Sequence, residues 1–223
     1  MDFKTKQDQV AEILRERIIS GAYRRGEKLR QLEIAEELGV SATPVREALR
    51  ILEAEGYIIS LSHRGVLVPP FSVEKSQELF ELRLLLEGQL TRLALMSIKK
   101  ENIEELNNLN EEYNKYVDSG DRLSLRAANY RFHFRLYALA NRPQTIQFVR
   151  VLWAKYPFHY LDRISERVNR VANEHWKFIQ CLERNDHEGC IKAMTDHIRN
   201  GWDEFSKQKV ESIASQVKNS EIN

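Results

Sequence analysis

The chain has 223 residues, 42% of them hydrophobic and 30% charged, which fits a globular protein of one large or two modest domains. No apolar stretch reaches membrane-spanning length, the opening MDFKTKQDQV lacks a secretory signal's basic-then-apolar order, and Cys181 and Cys190 form no CxxC pair; a cytoplasmic chain without membrane partner or disulfide framework is expected. Formal net charge is +1 at pH 7 and residues 1–70 hold as many acids as bases, so any grip on nucleic acid must come from a local cationic face.

In chain order, QVAEILRERIISG places Val10, Ile13, Leu14 and Ile18 at helical spacing and ends on Gly21. QLEIAEELGV repeats the pattern with Leu32, Ala35 and Leu38, followed by Gly39 where a left-handed turn is needed. A third helix takes Ser41 or Thr43 as its cap, holds Pro44 in its first turn, and carries Val45, Ala48, Leu49 and Leu52 before Gly56. Two helices joined by a short turn containing glycine are the signature of a helix-turn-helix. Residues 57–61 and 66–68 are β-rich runs around Ser62-His63-Arg64-Gly65, and a pair of prolines closes that hairpin. Residues 1–70 thus read as a winged helix-turn-helix domain.

Residues 71–223 read as helical throughout. Ser72 is a plausible cap, with Leu79, Leu82, Leu86, Leu90 and Leu93 as the inward stripe behind it. Ile103, Leu106, Leu109, Tyr113 and Tyr116 continue the period, and further helices are expected near 121–140, 144–155, 165–184 and 187–206. The fold class expected is mainly α, a winged helix-turn-helix followed by an all-α bundle.

A helix entering the major groove needs small polar residues at its start and a long donor one turn in. SATPVR supplies both. Ser41 and Thr43 stand where the helix dipole favours a phosphate, and Arg46, opposite the apolar side, can meet guanine O6 and N7 in a fork. Arg50 lies one turn further, facing DNA backbone or solvent, and His63 and Arg64 at the wing tip suit a minor-groove or phosphate contact. The plainer alternative makes Ser41 and Thr43 simple caps and pairs Arg46 with Glu47 or Glu53. The stretch from GAYRRGEKL through ELGVSATPVREALRILEAEGYI to HRGVLV resembles the DNA-binding domain of GntR-type transcriptional regulators over most of residues 8–70. That resemblance implies operator contacts from Thr43, Arg46, His63 and Gly65. Where the family often carries an arginine directly after the serine, this chain has Ala42.

In the bundle, three histidines fall on three apolar stripes. His133 joins Leu125, Phe132, Leu136 and Leu139, with Asn129 one turn earlier; His175 lies among Val168, Val171, Ala172, Ile179 and Leu182; His197 joins Cys190, Met194, Ile198 and Phe205. A lone histidine on such a face is more often a hydrogen-bonded core residue than a ligand. Three on different helices are costly to bury unless every nitrogen finds a partner, which one divalent metal supplies to all of them. Arg83, at the edge of the first stripe, either snorkels to solvent or bridges Glu87 at i+4.

ELRLLLEGQLTRLA, NYRFHFRLYALAN, EHWKFIQCLERND and AMTDHI make residues 75–205 similar to the FadR C-terminal (FCD) ligand-binding domain of one GntR subgroup. Its metal-binding members use one aspartate and three histidines, and the resemblance maps these onto Asn129, His133, His175 and His197. The neutral asparagine donates less charge, so either affinity falls or selectivity shifts towards imidazole-favouring divalent transition ions such as zinc or nickel. The resemblance also implies that Arg83 anchors a small carboxylate effector whose other oxygen reaches the metal. The resulting expectation is a homodimeric, ligand-responsive repressor on a palindromic operator in double-stranded DNA. Two rivals are a metal-dependent enzyme acting on a small organic acid, with Glu174 as the candidate base, and a bundle that only dimerises.

Overall fold

The computed structural model describes residues 5–61, 65–70, 76–156 and 165–220. Helix α1 (Lys6–Ser20) opens with a capping box, in which Thr5 accepts from the Asp8 amide and Asp8 from the Thr5 amide. Gly21 ends it in the left-handed region at φ 78, where a Cβ would be strained. After strand β1 (Lys28–Leu29) come α2 (Gln31–Leu38), closed by left-handed Gly39, and α3 (Ala42–Ala54) behind Ser41. Strands β2 (Ile59–Leu61) and β3 (Gly65–Leu67) form the antiparallel wing, with β1 on the far side of β3 in the order β1-β3-β2. The two residues of β1 are too short for any alternation, so the sequence announces only the hairpin.

Beyond the wing the described residues form α4 (Ser76–Leu95), α5 (Lys100–Ser119), α6 (Arg122–Ala138), α7 (Pro143–Lys155), α8 (Ser165–Glu183) and α9 (His187–Ser220). The expected fold class, a winged helix-turn-helix followed by a helical domain, is borne out. Helix α9 continues well past the stop near 206 expected from its apolar stripe. Ser72, the cap expected for α4, lies outside the described residues. Helix α5 packs on α6 and α8, α8 on α9, and α4 on both α9 and α7; α1 lies against α3 on one side and α6 on the other.

The stripes expected on α3, α8 and α9 are buried. Three assignments need correction. Ile13 and Leu32 are exposed, their places inside taken by Ala11 and Ile34. On α4 only Leu90 of the expected stripe is buried: Leu82 and the neighbouring Leu85 are exposed, Leu79, Leu86 and Leu93 half-buried, and the other buried positions are Ser76, Arg83, Glu87, Thr91, Ala94 and Leu95. The helix is turned so that a polar pair enters the core, which leucine spacing cannot announce.

Arg15 of α1 donates from Nε and Nη2 to the two carboxylate oxygens of Glu55, at 2.6 and 2.8 Å, both residues being buried. Glu55 is the C-cap residue of α3, so this fork fastens the end of that helix to α1. Removing one member of a buried pair leaves a bare charge, at about 3–5 kcal/mol. Glu55→Ala is therefore expected to lower unfolding free energy by that order in urea titrations, with Arg15→Leu/Glu55→Leu recovering most of the loss. A single variant as stable as the wild type would contradict the assignment.

Candidate metal centre and nucleic-acid interface

Helix α3 buries Val45, Ala48, Leu49 and Leu52 against α1 and α2 and leaves Ser41, Thr43, Arg46 and Arg50 exposed. Ser41 holds the N-cap position without a capping side-chain bond; the helix start is tied down instead by Gln31, whose Nε2 donates to the Ala42 carbonyl at 2.9 Å. Arg46 Nε donates to Glu47 Oε1 at 3.2 Å, and Arg50 Nη1 lies 3.3 Å from Glu47 Oε2. Glu47 is thus the surface acid of the plainer reading, while Glu53 accepts from the Ser60 amide. Both guanidinium groups are more than half exposed. Exposed pairs are worth about 0–1 kcal/mol, less than a bidentate base contact at about 1–3 kcal/mol, so Glu47 does not sequester either arginine. Gly65 opens β3 with φ 87; His63 and Arg64 lie outside the described residues.

In the bundle, α6, α8 and α9 bring His133, His175 and His197 together, all buried, with one ring nitrogen of each within 4.8 Å of the others. His133 Nε2 and His197 Nε2 face each other at 3.1 Å. Their tautomers follow from the opposite ring nitrogens. His197 Nδ1 donates to Glu174 Oε2 at 2.8 Å; Tyr137 donates its one proton to Glu87 Oε2 at 2.6 Å, so its oxygen accepts from His133 Nδ1 at 3.0 Å. With both rings neutral, two lone pairs point at each other, an arrangement that needs a cation between them. A shared proton would serve that pair, but not His175. Both His175 nitrogens are buried and without a hydrogen-bond partner, the ring being held by stacking on Phe132 at 4.0 Å between centroids. Asn129, half-buried one turn before His133, likewise has a buried, unpartnered Oδ1.

Burial, and then the neighbouring imidazole of His197, push His133 and His175 well below the usual histidine range, leaving neutral donors. Tetrahedral nitrogen ligands at about 2.1 Å sit about 3.4 Å apart, so a small readjustment, with the His133–His197 pair opening slightly from 3.1 Å, would suit a three-histidine site. Burial pushes the Glu174 carboxyl up, but His197, Asn200 and Arg167 outweigh that and hold it below the ordinary carboxylate range. Asn200 Nδ2 donates to its other oxygen at 2.6 Å.

Arg83 and Glu87, 4% and 0% exposed, realise the i+4 bridge, with Arg83 Nε on Glu87 Oε1 at 2.5 Å and Nη2 on Oε2 at 3.3 Å. Trp153 Nε1 also donates to Glu87, at 3.1 Å, and the Arg83 guanidinium lies over the rings of Trp153 and Tyr156. Tyr137, Trp153 and Asn200 were not read from the sequence. Tyr137 follows His133 at i+4 and was open to the same argument as Asn129; Asn200, three residues after His197, faces Glu174 by the same helical spacing.

Residues 6–68 match the model of bacterial regulatory proteins of the gntR family, and residues 78–200 match that of the FCD domain. The Nta operon transcriptional regulator of Aminobacter aminovorans is 28% identical over 84% of this chain and 88% of that protein. HTH-type transcriptional regulator McbR of Escherichia coli (strain K12) is 28% identical over 84% of this chain and 87% of that protein. A Paenarthrobacter nicotinovorans protein named "Probable D-xylose utilization operon transcriptional repressor" is 30% identical over 87% of this chain and 86% of its own length. The solved E. coli McbR/YncC structure superposes with TM-score 0.80 at 24% identity, covering 92% of this chain and 99% of that one, so the fold is shared.

Two buried nitrogens without partners are a standing cost to the metal-free fold, of about 1–3 kcal/mol. His175→Leu, close in volume, removes it. In chelator-treated protein this variant is expected to gain about 1 kcal/mol in urea unfolding; a clear loss would mean that His175 has a bonding partner in the folded chain.

Proposed function

Because the chain belongs to the gntR family of bacterial regulatory proteins and carries an FCD domain, we propose that it is a cytoplasmic, ligand-responsive transcriptional repressor. In this reading residues 1–70 read a palindromic operator in double-stranded DNA as one half of a homodimer. Residues 71–223 hold a divalent transition metal, zinc or nickel, through His133, His175 and His197 with Asn129, and a small carboxylic acid through Arg83. The observation that carries the sensing half is the set of buried, unpartnered polar atoms: both nitrogens of His175, one of them a lone-pair donor in the neutral ring, and Oδ1 of Asn129, beside the facing Nε2 atoms of His133 and His197.

On the DNA side, Arg46 exchanges Glu47 for a guanine edge, Ser41 and Thr43 offer hydroxyls to phosphate at the α3 N-terminus, and Arg50 and the wing residues His63, Arg64 and Gly65 add backbone contacts. On the sensing side a bound ion supplies an electrophilic position for one carboxylate oxygen. Arg83, which the fold holds on Glu87, turns part of its guanidinium to the other. Helix α6 connects the two halves. His133 faces the cluster and Asn129 lies one turn before it, whereas Tyr130 on the same helix donates to Glu12 of α1 at 2.7 Å and Arg131 pairs with Glu16. Arg150 of α7 also donates to Glu12, at 2.9 Å. Burial raises the Glu12 carboxyl, but Arg150, Tyr130 and Arg15 prevail and keep it ionised. A ligand that shifts α6 therefore biases the position of α1 and, through Arg15 and Glu55, of α3.

Support for a homodimer comes from Leu85 of α4 and Phe148 of α7, 66% and 63% exposed on helices that pack together. The enzyme reading loses its base, since Glu174 is engaged by His197 and Asn200. Repression is taken from the Paenarthrobacter nicotinovorans relative, which is named as an operon transcriptional repressor.

Arg46→Ala is expected to weaken binding to DNA from the protein's own promoter by about ten- to a hundredfold in mobility-shift titrations, with fold and oligomeric state unchanged; normal affinity would remove the docking model. Separately, elemental analysis of the purified protein is expected to find about one divalent ion per chain, lost in His133→Ala. A metal-free, stable wild type that takes up no added zinc would end the metal reading.

A further inference from the structure

Glu87 is saturated. Its two oxygens accept from Arg83 Nε, Arg83 Nη2, Trp153 Nε1 and the Tyr137 hydroxyl, the last two at 3.1 and 2.6 Å. Tyr137 has one proton, and it is committed to this bond; the tyrosine oxygen can only accept from His133 Nδ1. Four buried groups, Arg83, Glu87, Tyr137 and His133, are thus joined in one directed series of hydrogen bonds that starts at α4 and ends at the imidazole cluster. On the other flank Glu174 orients His197 and accepts from Asn200.

We propose that Glu87 and Tyr137 are positioning residues that couple occupancy of Arg83 to the ligand strength of His133, so that metal and carboxylate bind with positive cooperativity. The inference rests on the reading of the cluster as a metal site and of Arg83 as the effector anchor. Its sign follows from the bond directions. A carboxylate ligand that draws Arg83 towards itself leaves more negative charge on Glu87, which then accepts more strongly from Tyr137. The tyrosine oxygen becomes a better acceptor for His133 Nδ1–H, and the imidazole becomes a stronger donor through Nε2. Linkage then requires the metal to strengthen carboxylate binding by the same factor. Neither positioning residue touches the ion, and neither is needed for its charge.

The test is a double-mutant cycle on the full chain, with zinc ion alone as the probe, its affinity measured by competition with a chromophoric chelator. Tyr137→Phe and Glu87→Gln are each expected to weaken zinc by about ten- to a hundredfold, the usual size of an orienting-residue effect. The double variant is expected to be no weaker than Tyr137→Phe alone, because Glu87 reaches His133 only through the tyrosine. A general packing role for the two side chains would instead give losses that multiply. Unchanged zinc affinity in Tyr137→Phe, or multiplying losses, overturns the relay. Should Glu87→Gln fail to fold, Arg83→Lys takes its place in the cycle, again with an effect expected in the wild-type background and none in Tyr137→Phe. A wild type without zinc affinity overturns the metal reading and the relay together; one that binds zinc equally well with and without the Tyr137 hydroxyl overturns the relay alone.

Discussion

A charged or polar atom placed among leucines and aromatic rings is stable only when its bonding capacity is met, and the helical domain is organised around that constraint. Moving an ion out of water costs several kcal/mol even after relaxation. Arg83 and Glu87 meet this cost through a fork, a tryptophan N–H, a tyrosine hydroxyl and two aromatic faces. Orienting α4 for them leaves Leu82 and Leu85 outside, and full burial of a leucine is worth about 1.5–3 kcal/mol. That the chain accepts both the exposed leucines and the unpartnered nitrogens of His175 marks the region as one where stability is traded against a binding task.

The same constraint joins the two halves of the molecule. Glu12 of α1 is held at once by Tyr130, Arg150 and Arg15, and the neighbouring Arg15–Glu55 fork fixes the end of α3. These are partly buried, charge-assisted bonds with defined directions, so α1 does not slide over α6 by small continuous steps; it keeps the arrangement or exchanges it for another set of partners. Helix α6 carries His133 within one turn of Tyr130 and Arg131, the two residues that bond to Glu12 and Glu16 of α1. A rotation that serves one face is felt at the other.

The sequence made the winged helix legible because each of its elements is local. Gly21 and Gly39 stop their helices, Ser41 and Pro44 start the next, and the apolar spacing of α3 has one dominant phase. His133, His175 and His197 were also legible, since each falls on an otherwise apolar stripe. The phase of α4 was not: its leucines recur on more than one face, and only the presence of Trp153 and Tyr137 across the core decides which face turns inward. Strand β1 was invisible because two residues have no pattern of their own and are strand only by pairing with β3. Glu174 was legible as a carboxylate near a histidine, but its role depends on where His197 and Asn200 arrive from another helix.

That last distinction bears on what such a site is able to do. A metal-dependent hydrolase or isomerase needs a carboxylate with a free lone pair aimed at substrate, able to take a proton and pass it on. In this bundle Glu174 accepts from His197 and Asn200, and Glu87 accepts from Arg83, Trp153 and Tyr137. Both acids near the cluster are engaged in orienting imidazoles and a guanidinium. In the proposed reading these directed groups serve to hold an ion and a small anion, and neither Glu87 nor Glu174 is disengaged. In that reading the free energy of binding biases the choice among arrangements of α4, α6 and α7, and two of those helices make polar contact with α1 at Glu12.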